Sequence, residues 1–102
     1  ECYEDPIGKC VPSGVYVTGC WCKPGSAPLP YYNGTELIAV VCSMGCYGNK
    51  ACPPYPHNPP ECMSFGELSV CGIPCSSEAD CPDEGYCADF GEYGTRMCMY
   101  KV

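Results

Sequence analysis

The chain has 102 residues, with 12 acidic side chains against 5 basic ones, a formal net charge of −7, and 13 cysteines. That balance excludes the arginine- and lysine-rich surfaces that grip nucleic acid or anionic membrane. The cysteine density belongs to an oxidising compartment, where bridges contributing ~2–4 kcal/mol each do much of the work of a hydrophobic core.

The cysteines are Cys2, Cys10, Cys20, Cys22, Cys42, Cys46, Cys52, Cys62, Cys71, Cys75, Cys81, Cys87 and Cys98. An odd count leaves one unpaired: buried as a small apolar residue, paired across a dimer, or without a partner in this stretch of chain. The chain begins at Glu1 with no methionine and holds no apolar run of membrane-spanning length, as expected of a mature secreted product.

Gly14-Val15-Tyr16-Val17-Thr18, ending at Gly19, is a strand signal, rich in β-branched and aromatic residues. Tyr31-Tyr32, a turn at Asn33-Gly34, and Leu37 to Cys42 predict a hairpin, because Asn-Gly suits the tight turns that join antiparallel strands. Asn33-Gly34-Thr35 is also a glycosylation sequon. Cys42, Cys46 and Cys52 recur as Cys71, Cys75 and Cys81, each displaced by 29 positions, which suggests a duplicated unit. Between the two sets lies Pro53-Pro54-Tyr55-Pro56-His57-Asn58-Pro59-Pro60, five prolines in eight residues. Such a run favours extended polyproline geometry, and it places a boundary between module one, residues 1–56, and an acidic module two, residues 57–102. Ser77-Glu78-Ala79-Asp80 forms one helical turn at most. Arg96 to Tyr100 reads as a closing strand against the region of Tyr86-Cys87-Ala88.

Charge divides the chain in the same way. Residues 1–60 hold four acids and three bases, and residues 61–102 hold eight acids and two bases. An acidic face of this kind attracts a basic partner, and its plainer use is solubility. Glu78, Asp80, Asp83 and Glu84 are hard oxygen ligands close together, yet their spacing matches no calcium loop. Catalysis has little to draw on. His57 is the one histidine, and there is no nucleophile elbow, phosphate-binding glycine loop or histidine pair for zinc. The expectation is a non-enzyme with no cofactor and no metal.

Cys20-Trp21-Cys22, the sequon at Asn33, Val41-Cys42-Ser43-Met44-Gly45-Cys46, Cys52 and Cys62 together resemble the class A evasins of tick saliva over about residues 20–62. Evasins are small, acidic, glycosylated proteins that sequester host chemokines. The resemblance implies partner contacts just outside the cysteine steps, at Tyr31, Tyr32, Glu36, Leu37, Ile38 and Val40, with acids near Tyr3 completing the surface. Beyond Cys62 the spacing departs from that family. There Cys75-x5-Cys81-x5-Cys87 resembles the cysteine-rich domains of Dickkopf proteins and colipase, which indicates framework more than function.

Two inhibitory readings compete. Lys50-Ala51, in the short segment between Cys46 and Cys52, would offer a rigid loop to a trypsin-like protease. Tyr100-Lys101-Val102, anchored by Cys98, resembles the product-like tail of carboxypeptidase inhibitors. Tyr3 and Tyr93 have acidic neighbours and are candidates for sulfation.

The expected protein is therefore small, disulfide-rich and mostly β, with two short antiparallel-sheet modules joined by the proline-rich connector. Its expected role is that of a secreted, monomeric binding protein. It would neutralise an extracellular host immune protein with a basic surface, such as a chemokine or complement factor, by steric occlusion.

Overall fold

Short apolar runs and turn-forming residues resolve into eight strands in the computed structural model, which describes residues 2–48, 52–56, 58–65, 67–91 and 95–102. Strands β1 (Ile7–Ser13) and β2 (Tyr16–Trp21) form one hairpin, and β3 (Ala27–Asn33) and β4 (Glu36–Ser43) a second. The third joins β5 (Glu61–Phe65) to β6 (Leu68–Gly72), and the fourth joins β7 (Tyr86–Phe90) to β8 (Thr95–Lys101). All pair antiparallel. The small, disulfide-rich β fold expected from composition is what the chain adopts. Among the described residues the helical content is one 3₁₀ turn, Glu78–Asp80.

Local chemistry accounts for most boundaries. The β3–β4 hairpin turns at Gly34-Thr35, with Asn33 opposite Glu36, and Gly34 takes the positive φ of 65° that the mirror-image hairpin turns require. The first hairpin departs from the sequence reading. Gly14 and Val15 form its turn, and β2 runs on through Gly19 to Trp21 instead of stopping there. Gly19 has φ +82°, and a Cβ on it would lie 2.6 Å from the Lys9 carbonyl oxygen. It therefore marks a register irregularity between Gly8 and Val11 and does not end the strand.

Six bridges form: Cys10–Cys20, Cys22–Cys42, Cys46–Cys62, Cys52–Cys71, Cys75–Cys87 and Cys81–Cys98. The last four are two copies of one interlaced pattern, first to third and second to fourth. Backbone bonds repeat with them. Cys71 N–H donates to the Met44 carbonyl (2.9 Å) and Cys46 N–H to Ser69 (3.1 Å); Cys98 N–H donates to Ile73 (3.0 Å) and Cys75 N–H to Arg96 (3.4 Å). Cys62 lies opposite Cys71, and Cys87 opposite Cys98. The displacement by 29 residues is thus a repeated structural unit.

A third, altered copy precedes these two. Cys42 N–H donates to the Glu4 carbonyl (2.9 Å), so Glu4 stands where Met44 and Ile73 stand. Cys22–Cys42 then corresponds to Cys52–Cys71 and Cys81–Cys98. The remaining bridge of the unit is replaced by prolines. Pro6, two residues after Glu4, holds the place of Cys46 and Cys75, and Pro28, opposite Cys42, holds that of Cys62 and Cys87. The β1–β2 hairpin, with its own Cys10–Cys20 bridge, occupies the position of the five-residue loops that follow Cys46 and Cys75. Cys2 falls at the place of Cys42 and Cys71 and is the unpaired cysteine.

The boundary expected at residues 56 and 57 does not separate two cores. β4 pairs with β8 through Ala39–Lys101 and Val40–Tyr100, giving one four-stranded sheet in the order β3-β4-β8-β7. Ala39 and Val41 from the first half are buried with Met63, Ala88, Phe90, Met97 and Met99 from the second. A second cluster joins Tyr3 and Ile73 to the bridged Cys46, Cys71 and Cys98. The described part of the proline run lies over the molecule. Pro53 accepts a hydrogen bond from the Tyr3 hydroxyl (2.8 Å), and the Asn58 side chain donates to the Asp80 carbonyl (3.1 Å).

A Pro6→Cys/Pro28→Cys double variant is expected to close a seventh bridge, because both positions match those of bridged cysteines in the later copies. Peptide mapping should find residues 6 and 28 linked with one thiol still titratable, and stability should rise by ~2–4 kcal/mol. Two additional reactive thiols in the folded variant would disprove the correspondence.

Candidate functional site

The segment that leads into β1 is held beside β4. Tyr3 N–H donates to the Cys42 carbonyl (2.7 Å), and the Tyr100 hydroxyl donates to the Tyr3 carbonyl (2.7 Å). Tyr3 is 5% exposed, with its ring edge-on to Tyr55 at 6.2 Å between centroids. Burial pushes the Tyr3 and Tyr100 phenols up to about 12, and each donates its hydroxyl hydrogen as a neutral group near pH 7. This pinning leaves Glu4 and Asp5 on the surface, facing the turn that carries Asp83 and Glu84.

Between them opens a cleft of about 890 Å³. Pro53, Pro54, Tyr55 and Pro82 supply rigid apolar walls, and among the described residues four carboxylates, Glu4, Asp5, Asp83 and Glu84, line it with one lysine, Lys23. Lys23 Nζ lies 4.0 Å from Glu4 Oε1, with both side chains about half exposed, so this pair offsets little of the negative potential. Asp5 is raised above the ordinary carboxylate value of 3.8, first by burial and then by the charge of Glu84. The Cys2 thiol also lines the cleft, and burial raises it too, so it is a weak nucleophile near neutral pH.

Ile7 connects the cleft to the β1–β2 hairpin, where it lies opposite Trp21. This hairpin is conspicuously apolar for an exposed element: Trp21 is 56% exposed, Tyr16 71% and Val15 74%. Exposed aromatic and aliphatic groups beside a charged cleft have the composition of a binding surface.

A second hollow, about 440 Å³, opens among the β3–β4, β5–β6 and β7–β8 hairpins. Its aromatic lining includes Tyr31 and Phe65, both edge-on to Phe90 at 4.5 and 5.0 Å.

The residues expected to contact a partner do not share one surface. Tyr31 lines this hollow and donates to the Asp89 carbonyl (3.3 Å). Tyr32 also lines it, while its hydroxyl donates to the Tyr16 carbonyl and ties the first hairpin to β3. Glu36 is exposed at the turn, Leu37 is half-buried, and Ile38 packs on the core. Val40 is 3% exposed and offers no surface to a partner.

The inhibitory candidates fare unevenly. Lys50 and Ala51 lie outside the described residues, as do His57 and Tyr93. The tail does not project: Tyr100 is 6% exposed, Lys101 ends β8 with its ammonium 5.2 Å from the Tyr86 ring centre, and Val102 N–H donates to Ile38. Of these three, Val102 alone presents a mostly exposed apolar side chain. Sulfation of Tyr3 conflicts with its buried, hydrogen-bonded hydroxyl.

The acidic stretch divides as well. Asp80 turns inward on its own loop, accepting from Ser76 N–H (2.7 Å) and Ser77 N–H (3.3 Å), and these bonds hold its carboxyl below 3.8. Asp83 and Glu84 turn to the cleft. Among the described residues, the sets of three close ligand atoms are Cys46, Cys52, Cys71 and Cys75, Cys81, Cys98. All six are bridged, so their closeness reflects the interlaced disulfides.

In comparisons with protein families, characterised proteins and solved structures, nothing matches this chain. No described helix is long and apolar enough to cross a membrane.

The raised Asp5 carboxyl has a definite sign. Folding favours its protonated form, a contribution present in acid and lost as pH rises through the folded value. Asp5→Asn is therefore expected to raise the melting temperature at neutral pH, with the gain vanishing below the ordinary carboxylate range. Equal gains at both pH values would remove the electrostatic explanation.

Proposed function

We propose that this protein is secreted and acts as a binding protein that captures an extracellular immune protein of a host, a chemokine or complement factor with a basic surface, and neutralises it by steric occlusion. The observation that carries this reading is the four-carboxylate cleft joined through Ile7 to the exposed Trp21 hairpin. The acids attract and orient a basic segment, and rigid prolines and tyrosines receive it at low ordering cost. Trp21 is the natural apolar anchor. No chemical step is involved, and the protein acts without a cofactor or metal. Partial resemblance to the evasins supports chemokines as the first class of target. The contact surface differs from the one that resemblance implies: it is centred on residues 4–7, 21 and 83–84 instead of residues 31–40. Carboxypeptidase inhibition has less support, because Tyr100 and Lys101 are tied into the sheet.

The test is capture from plasma and from a chemokine panel with oxidised protein at physiological salt, followed by kinetics on whatever binds. A basic chemokine or complement factor is expected, with an association rate falling roughly tenfold or more from low to physiological ionic strength. Asp83→Asn/Glu84→Gln should flatten that dependence. Trp21→Ala should cost about 2 kcal/mol, roughly thirtyfold in Kd. Capture of a protease alone, or an association rate indifferent to salt, would overturn the proposal.

A further inference from the structure

The apolar hollow among the three hairpins raises the question of what covers it. Among the described residues its lining holds no charged side chain, and Leu29, Tyr31, Tyr32, Phe65, Leu68 and Phe90 supply most of its apolar surface. Leu68, 50% exposed at the rim, extends this apolar surface outward into a contiguous patch. A charged peptide would lose hydration here without finding a counter-charge. A neutral occupant with apolar faces and hydroxyl edges suits it better.

Such an occupant is encoded in the chain. Asn33 lines the same hollow, is exposed, and opens the sequon Asn33-Gly34-Thr35 at the tip of the β3–β4 hairpin. We propose that Asn33 carries an N-linked glycan whose first sugars fold back into this hollow and pack on Tyr31, Tyr32 and Phe65, covering the apolar surface. The attachment is a substitution. The Asn33 amide nitrogen forms a bond to C1 of the reducing sugar of a diphosphate-linked oligosaccharide donor, the C1–O bond to the diphosphate breaks, and the amide gives up one proton. About 440 Å³ is within the range that receives a small ligand, enough for the innermost sugars. The C–H faces of their rings can lie on the aromatic rings. The hydroxyls and amides at their edges reach solvent and the exposed tyrosine oxygens.

The inference rests on export through a glycosylating pathway, part of the reading above, but not on the identity of any partner. It confines the partner to the acidic cleft, because a glycan at Asn33 screens Tyr31 and Tyr32.

The experiment is production of the chain in a eukaryotic secretory host, with Asn33→Gln and Thr35→Ala as separate controls. Mass spectrometry should find a hexosamine-containing adduct on Asn33 that both variants lack. After enzymatic trimming to the first N-acetylglucosamine, NMR should show upfield-shifted sugar protons with cross-peaks to Tyr31, Tyr32 or Phe65. Binding of an apolar fluorescent dye should be stronger in both variants than in the glycosylated protein. An unmodified Asn33 in that host would overturn the proposal. So would a sugar with free-solution shifts and no aromatic cross-peaks, showing a glycan directed into solvent. Either result leaves the cleft reading to its own kinetic test.

Discussion

Everything in this molecule hangs on the interlaced bridge pair. Cys46–Cys62 with Cys52–Cys71, and then Cys75–Cys87 with Cys81–Cys98, each clamp a hairpin against the segment that enters it. The segment before each pair adds backbone hydrogen bonds to the far strand, so every clamp is extended by a short ladder. A chain this short buries little apolar surface, and cross-links reduce the conformational freedom that burial would otherwise have to offset. The sulfurs are themselves part of the interior, since Cys46, Cys71 and Cys98 pack with Tyr3 and Ile73. Bridges and core are one structure here.

The first copy of the unit shows what this constraint allows. Where Pro6 and Pro28 stand in place of a bridge, the chain accommodates a whole hairpin in the space of a five-residue loop. Proline stiffens both positions without a covalent link, and the remaining Cys22–Cys42 bridge keeps the copy attached to the others. That substitution is what gives the molecule its apolar finger and, through Ile7, one wall of the cleft. The exposed apolar hairpin thus stands where the framework is relaxed, on a loop held by a rigid scaffold.

The cleft and the hollow divide the surface by polarity. Near the cleft, carboxylates from opposite ends of the chain, Asp5 and Glu84, are close enough for one to raise the other, a tension that a cation from a partner would relieve. At the hollow, aromatic edges meet with no charge among the described lining residues. One surface is suited to a basic protein segment and the other to a neutral sugar, and each follows from the side chains that the hairpin tips and connecting turns present.

Much of the framework was legible in the chain itself. Cysteine density announced a disulfide-held β fold, the turn at Asn33-Gly34 announced its hairpin, and the displacement by 29 residues announced the repeat, because these signals are local or depend only on spacing. The break at the proline run was misleading: it marks a change in composition, whereas β4 and β8 pair across it through hydrogen bonds that no local signal records. Val40 was placed at a partner contact by the evasin resemblance, whereas its face of β4 is buried on folding, which cysteine spacing cannot record. Cys2 as the odd thiol, Pro6 and Pro28 as a vanished bridge, and the meeting of Glu4 and Asp5 with Asp83 and Glu84 emerged only on folding. The sequence by itself determined how the chain is held, since cysteine, glycine and proline act on their immediate backbone. Tertiary structure alone decided which surfaces are offered, since a cleft is made by residues nearly eighty positions apart.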